Sequence, residues 1–228
     1  NGNWDELILY DLEKHNKKAV VYGETFHIRM PDWIQGLHSY AWSGDSKDIS
    51  LIQYSRGTAS LSRVDIHTFK IEHLDISPYI WASQVDISHK TGKVAFLGSS
   101  TTEANQIVSL AGKSKASGLI HTQSPKKSPP VPEEIIFKTK DNFPAHAWYF
   151  PPTGKSVKKG PPPCVINIHS GPTSVKHAGF SVNTALLTAR GFSVAYLNYR
   201  GSVTFGYHYQ DALRRKWGEA EVEDFYLL

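Results

Sequence analysis

Residues 161–228 read PPPCVINIHSGPTSVKHAGFSVNTALLTARGFSVAYLNYRGSVTFGYHYQDALRRKWGEAEVEDFYLL. Cys164–Ile168 is an apolar run broken only by Asn167, the pattern of a central strand covered on both faces. After the loop His169–Lys176, residues 180–190 predict a helix. Val182, Ala185, Leu186 and Ala189 recur at i, i+3, i+4 and i+7, and Gly191 stands where a C-terminal cap belongs. Phe192–Leu197 is a second buried strand. Strand, helix and strand within about thirty-five residues predict a right-handed parallel crossover. Tyr209–Trp217 is expected to form a further helix, with Trp217 in the core. Cys164, inside the first strand, is expected to be a buried, inert thiol.

Working outward, residues 134–140 and 145–150 read as two strands of a hairpin around Asp141-Asn142-Phe143-Pro144. Polar, Pro-rich segments flank this hairpin at 111–133 and 151–163. Upstream, residues 1 to 124 are short β-branched and aromatic runs bounded by Gly, Asp, Ser, Asn or Lys, with almost no 3.6-residue periodicity. A weak repeat runs through them. Trp42-Ser43-Gly44-Asp45-Ser46 before 49–54 parallels Ile87-Ser88-His89-Lys90-Thr91 before 93–98. A strand, a turn and another strand follow each: 61–66 then 70–74, and 106–110 then 118–122. A period near forty-five residues with about four strands is the spacing of a β-propeller blade. A generic β-sandwich is the other all-β reading. About two and a half blades do not close a ring of the usual ~4–8, so the N-terminal edge is expected to be raw.

Composition narrows the function. The net charge is +4, but the densest basic clusters, Lys126–Lys127 and Lys155–Lys159, lie in Pro/Ser/Gly-rich segments. That is a solvated linker, not a nucleic-acid-binding stripe. No run approaches the ~18 apolar residues of a membrane span. A single cysteine excludes an internal disulfide and fits a reducing compartment, the cytoplasm. The opening Asn-Gly-Asn-Trp reads as mid-protein sequence. Eleven histidines make no metal-binding pattern, and His67, His73, His89 and His121 are expected on turns or facing solvent. No phosphate-binding glycine loop occurs, so neither a metal nor a nucleotide cofactor is expected.

Three motifs together resemble the prolyl oligopeptidase family of serine peptidases, in its acylaminoacyl-peptidase and dipeptidyl-aminopeptidase-like branch. The strand ending in His169-Ser170-Gly171-Pro172 is similar to the family's apolar strand followed by His-Gly-Gly-Pro. Ala189-Arg190-Gly191-Phe192-Ser193-Val194 leads to Asn198-Tyr199-Arg200-Gly201-Ser202, with Phe205-Gly206 after it. Trp217-Gly218-Glu219 precedes Glu221-Val222-Glu223-Asp224. The hairpin of residues 134–152 also looks like the family's lead-in strands. The resemblance implies β-propeller blades (residues 1–124) followed by the N-terminal part of an α/β-hydrolase domain (residues 125–228), the propeller restricting access to large substrates. It implies hydrolysis of peptide or acyl-peptide bonds through an acyl-enzyme, with a peptide as the partner, and no nucleic acid, membrane or cofactor.

By that resemblance His169, Ser170 and Gly171 form the oxyanion loop, which lends backbone N–H donors to the developing negative charge. Ser170 stands where the family has glycine, and a positive φ there would disfavour serine. Arg200 is expected to anchor its loop against Asp224 or Glu221; Tyr199 and Tyr207 either line the pocket or pack. No usable nucleophile is visible. Gly191-Phe192-Ser193 follows a helix and enters a strand, the reverse of a nucleophile elbow, and Ile168 occupies the place of the first glycine before Ser170. The chain is therefore expected to be a fragment that stops before the serine, acid and histidine of the family and is inactive alone. A carboxylesterase on the same fold and a catalytically dead binding module are the alternatives.

Overall fold

The computed structural model describes residues 5–23, 25–31, 33–111, 116–120, 129–154, 160–171 and 173–228. The expected boundary at 124/125, the lysine-rich segments, His121 and Pro172 lie outside the described residues. The chain divides into two compact units. One comprises Asn1–Gly98, Gln106–His121 and Thr204–Tyr207; the other comprises Ser99–Asn105, Thr122–Val203 and His208–Leu228. Among the described residues no helix is long and apolar enough to cross a membrane.

The first unit is all β. Strands β1 (Asp5–Asp11) and β2 (Asn16–Gly23) form an antiparallel hairpin. A four-stranded sheet follows in sequence order: β3 (Tyr40–Trp42), β4 (Asp48–Ser55), β5 (Thr58–Asp65) and β6 (Ile71–Leu74). A second four-stranded sheet repeats it with β7 (Trp81–Ile87), β8 (Val94–Ser99), β9 (Gln106–Leu110) and β10 (Ser117–Ile120). Two sequential four-stranded meanders match blades better than a sandwich.

Local chemistry dictates the turns. Arg56 and Gly57 both take positive φ, 50° and 73°, the type I′ signature of a two-residue hairpin, and they join Ser55 to its partner Thr58. The Asp65 carboxylate accepts from the N–H groups of His67 and Thr68 and closes the next turn. The repeat extends to hydrogen bonds: Ser43 N–H donates to Asp48 O, and Ser88 N–H to Lys93 O, forty-five positions later at both ends. The two turns touch, because a Cβ on Gly44 would lie 2.5 Å from His89 O. Core packing is dense: Leu51, Val64, Val20, Val21 and Ile28 form one cluster, and Tyr54 meets Trp81 with ring centroids 5.1 Å apart.

The second unit contains one mixed sheet in the order β11 (Glu133–Lys138), β12 (Pro144–Phe150), β14 (Ser193–Asn198), β13 (Cys164–Ile168). β12 runs antiparallel to β11 and to β14, and β13 runs parallel to β14 after the crossover helix α1 (Val182–Ala189). The strand–helix–strand unit and the hairpin are as expected. Every residue of β14 is buried. Its side chains alternate between two clusters, Val194 and Tyr196 with Phe150 on one face, Leu197 with Leu213 and Ala220 on the other.

Five expectations fail here. β13 is not a covered central strand: among the described strands it pairs only with β14, and Cys164 and Ile168 at its ends are exposed. Cys164 is accordingly an exposed free thiol. The inward face of α1 carries Thr184, Ala185 and Thr188 rather than the apolar stripe, leaving Val182 and Leu186 exposed. The hydroxyls make this possible, since Thr184 Oγ1 bonds the Tyr196 hydroxyl and Thr188 Oγ1 donates to Thr184 O. The helix expected over 209–217 is instead a short α2 (Tyr207–Asp211), then turns with Arg215 and Gly218 at positive φ, then α3 (Ala220–Leu227). Trp217, between them, is 64% exposed.

Candidate active-site loop

β13 and β14 are adjacent and parallel, so the chain leaves both at the same edge of the sheet. The loops beyond those carboxyl ends are where an open α/β sheet binds ligand. The two loops are His169-Ser170-Gly171 and Tyr199-Arg200-Gly201-Ser202.

His169 is buried. Its ring stacks on Tyr199, centroids 4.4 Å apart and planes inclined by 24°. Nδ1 lies 3.2 Å from Gly171 O, and Nε2 lies 2.7 Å from Ser202 Oγ. Ser202 Oγ is also 2.7 Å from Tyr199 O, and the Tyr199 hydroxyl donates to Gly171 O at 2.8 Å. Burial, with the nearby Lys176 charge adding to it, pushes the His169 imidazole down to about 4 against the pull of the Gly171 and Ser170 carbonyls. The ring is therefore neutral at pH 7 and has one N–H. Gly171 O can only accept, so that proton sits on Nδ1, and the Ser202 hydroxyl proton is shared between Nε2 and Tyr199 O. Burial holds the Tyr199 phenol at about 12, so it remains a donor.

The positive φ of this loop falls on Gly171, at 71°, and not on Ser170. Serine at 170 therefore carries no backbone strain. Ser170 and Gly171 are both exposed, and the Gly171 N–H has no acceptor among the described residues. A backbone donor on an exposed residue at a strand's carboxyl end, without an acceptor among the described residues, can receive an anionic oxygen.

Arg200 anchors the second loop, 2% exposed and the largest fully buried side chain described. Nε donates to both Asp224 oxygens at 2.9 and 3.2 Å, and the Arg200 N–H reaches Asp224 Oδ2 at 2.8 Å. The two terminal nitrogens reach Asp141 Oδ1 at 3.0 Å and Glu223 Oε2 at 2.9 Å. The second acidic partner from α3 is thus Glu223 rather than Glu221. Burial pushes the Asp224 carboxyl up and the guanidinium pulls against it. Gly201 (φ 104°) follows, where a Cβ would lie 2.5 Å from Leu213 Cδ2.

The Asn198 side chain ties the end of β14 to the loop after Gly171, accepting from Lys176 N–H at 2.7 Å and donating to Lys176 O at 3.0 Å. The structure thus brings His169, Ser170 and Gly171 against Tyr199 and Ser202, with Arg200 and Asp224 bracing the second loop from behind. Tyr199 and Ser202 are the members that motif reading left without a role. Both stand in the motif Asn198-Tyr199-Arg200-Gly201-Ser202, which leaves Tyr199 between pocket and packing and gives Ser202 no part of its own.

Residues 178–228 match the model of the prolyl oligopeptidase family, a segment that includes Arg200, Ser202 and Asp224 and begins after the His169–Gly171 loop. The chain is 30% identical over 97 residues to the uncharacterized peptidase YuxL of Bacillus subtilis, covering 41% of this chain and 14% of that protein. It is 34% identical over 98 residues to dipeptidyl-peptidase 4 of Giardia intestinalis, covering 41% and 13%. Among solved structures, a puromycin hydrolase superposes with a TM-score of 0.86 at 26% identity, over 99% of this chain and 34% of that one. An acylaminoacyl peptidase of Pyrococcus horikoshii gives 0.75 at 15% identity, over 99% and 33%, a likeness of fold. The chain spans about a third of the length of the solved structures it matches, and its matches cover a still smaller share of the curated relatives. The fold is therefore that of β-propeller blades followed by the N-terminal part of an α/β-hydrolase domain.

Proposed function

We propose that this polypeptide, whose residues 178–228 match the model of the prolyl oligopeptidase family, supplies the oxyanion loop of a serine peptidase acting on peptide or acyl-peptide bonds. The observation that carries this is Gly171, an exposed residue whose N–H has no acceptor among the described residues, while its carbonyl is held from two sides.

Attack of a serine hydroxyl on the scissile carbonyl develops negative charge on its oxygen, and the Gly171 N–H meets that charge. Collapse expels the amine and leaves an acyl-enzyme, which water then hydrolyses. The serine, its base and its acid come from residues outside this chain, which has no strand-to-helix Gly-x-Ser-x-Gly. The blades belong to residues 1–124 and the hydrolase domain begins at 125. No cofactor takes part, and the partner is a peptide. The exposed thiol of Cys164 suits a reducing compartment such as the cytoplasm.

The test is a crystal structure of the full-length natural protein, meaning the longest natural polypeptide containing these residues, with a peptide aldehyde bound. The tetrahedral oxygen is expected about 2.7–3.1 Å from Gly171 N. An oxygen held elsewhere overturns the assignment. The 228-residue polypeptide alone is expected to give no serine-inhibitor-sensitive turnover of peptide p-nitroanilides.

A further inference from the structure

We infer that Tyr199 is a positioning residue for transition-state stabilisation: its hydroxyl, acting with His169 and Ser202, holds the Gly171 carbonyl, in the peptide unit next to the one that carries the Gly171 N–H, and so limits how that N–H can turn. This inference rests on the oxyanion reading of that N–H.

A glycine at φ 71° has no side chain to hold it, and an exposed glycine loop samples many orientations. A donor that must meet charge at the moment it forms has to be preorganised, because reorientation during the reaction subtracts from the stabilisation. The structure supplies the restraint through a closed ring of groups. Tyr199 Oη donates to Gly171 O at 2.8 Å, and His169 Nδ1 faces the same oxygen at 3.2 Å. His169 Nε2 meets Ser202 Oγ, which returns to the Tyr199 carbonyl at 2.7 Å. The stacked rings of His169 and Tyr199 close the circuit. Tyr199 is itself rigid: it is 4% exposed and packs with Leu197, Leu213 and Ala220. None of these side chains needs to touch substrate. They act on the loop alone, from residues at the ends of two paired strands.

Tyr199→Phe keeps the ring stack and removes only the hydroxyl. In the full-length protein we expect kcat to fall about 3- to 10-fold, the worth of one neutral hydrogen bond. KM should stay the same, affinity for a peptide aldehyde should fall by the same factor, and affinity for the matching peptide alcohol, which forms no oxyanion, should not change. The melting temperature controls for a merely structural role, which would not separate aldehyde from alcohol. If the aldehyde oxygen sits on Gly171 N and Tyr199→Phe leaves aldehyde affinity unchanged, the positioning role is wrong and the oxyanion assignment stands. If the oxygen does not reach Gly171 N, both fall together.

Discussion

The Arg200 guanidinium and the Asp224 carboxylate, both buried, face each other over a pair of 2.8–2.9 Å contacts, and Asp224 also accepts the Arg200 backbone N–H. One carboxylate thus holds both the side chain and the main chain of the residue between Tyr199 and Gly201. The second loop is nailed to α3 at its midpoint, which keeps Tyr199 in place.

Asp224→Asn removes the charge and leaves a buried guanidinium short of its main partner. The expected loss is about 3–5 kcal/mol in urea unfolding, because breaking a buried pair strands its survivor. Glu223→Gln is expected to cost much less, since that carboxylate is partly exposed. Equal losses for the two variants would mean that burial is not what makes the Asp224 contact strong.

Gly201→Ala places a methyl within van der Waals overlap of Leu213 at a φ of 104°. Strain and overpacking together are expected to cost about 2–3 kcal/mol, read as a lowered unfolding midpoint. Leu213→Ala should cost less in this background than with glycine at 201, the signature of a steric contact.

Ser170→Gly and Gly171→Ala separate the two positions of the first loop. The first is expected to change stability by less than about 0.5 kcal/mol, since Ser170 is exposed and unstrained. The second should cost about 1–2 kcal/mol, because alanine at 171 must take a left-handed conformation. The reverse order would place the strained residue at 170.

Burial lowers the His169 pKa to about 4, from an ordinary 6.5. Between those values the unfolded chain binds a proton that the folded protein refuses. Stability from this group is therefore complete above pH 6.5 and declines as pH falls toward 4. The decline should amount to up to about 3 kcal/mol, from ~1.4 kcal/mol for each pKa unit. Urea titrations from pH 7 to 4 should show it, and His169→Gln should flatten that part of the slope.

Cys164 should react with a thiol reagent in native buffer as fast as in denaturant, being exposed at the start of β13. Protection that disappears only on unfolding would return it to the interior.

The parts that were readable from sequence are those in which one residue type does one job. Gly191 (φ 87°) follows α1, and the turns at Ser43 and Ser88 recur at a fixed interval. The hairpin ahead of β13 and the parallel pairing of β13 with β14 also follow from such signals. Where a polar residue takes the core position, pattern misleads. α3 buries Ala220 and Asp224, so it shows no apolar stripe, and α1 turns two threonines inward. Tyr209, Ala212, Leu213 and Trp217 have helical spacing, but Arg215 at φ 62° breaks the helix and leaves Trp217 in solvent. Hydrophobicity places Cys164 inside, whereas the structure leaves it exposed at the start of β13. The ring of Tyr199, His169 and Ser202 joins positions about thirty apart in sequence. Only the parallel pairing of β13 and β14 makes them neighbours.

The close approach of Gly44 to His89 joins equivalent places in consecutive repeats, one as socket and the other as plug. Such a contact is head-to-tail, and head-to-tail contacts set no stopping point of their own; only the rotation per step decides whether and when a ring closes. A whole repeat can then be gained or lost without any interface being redesigned. The glycine at 44 is the mark of a junction that has already been filled, while a side chain is tolerated at its counterpart, where the plug is presented.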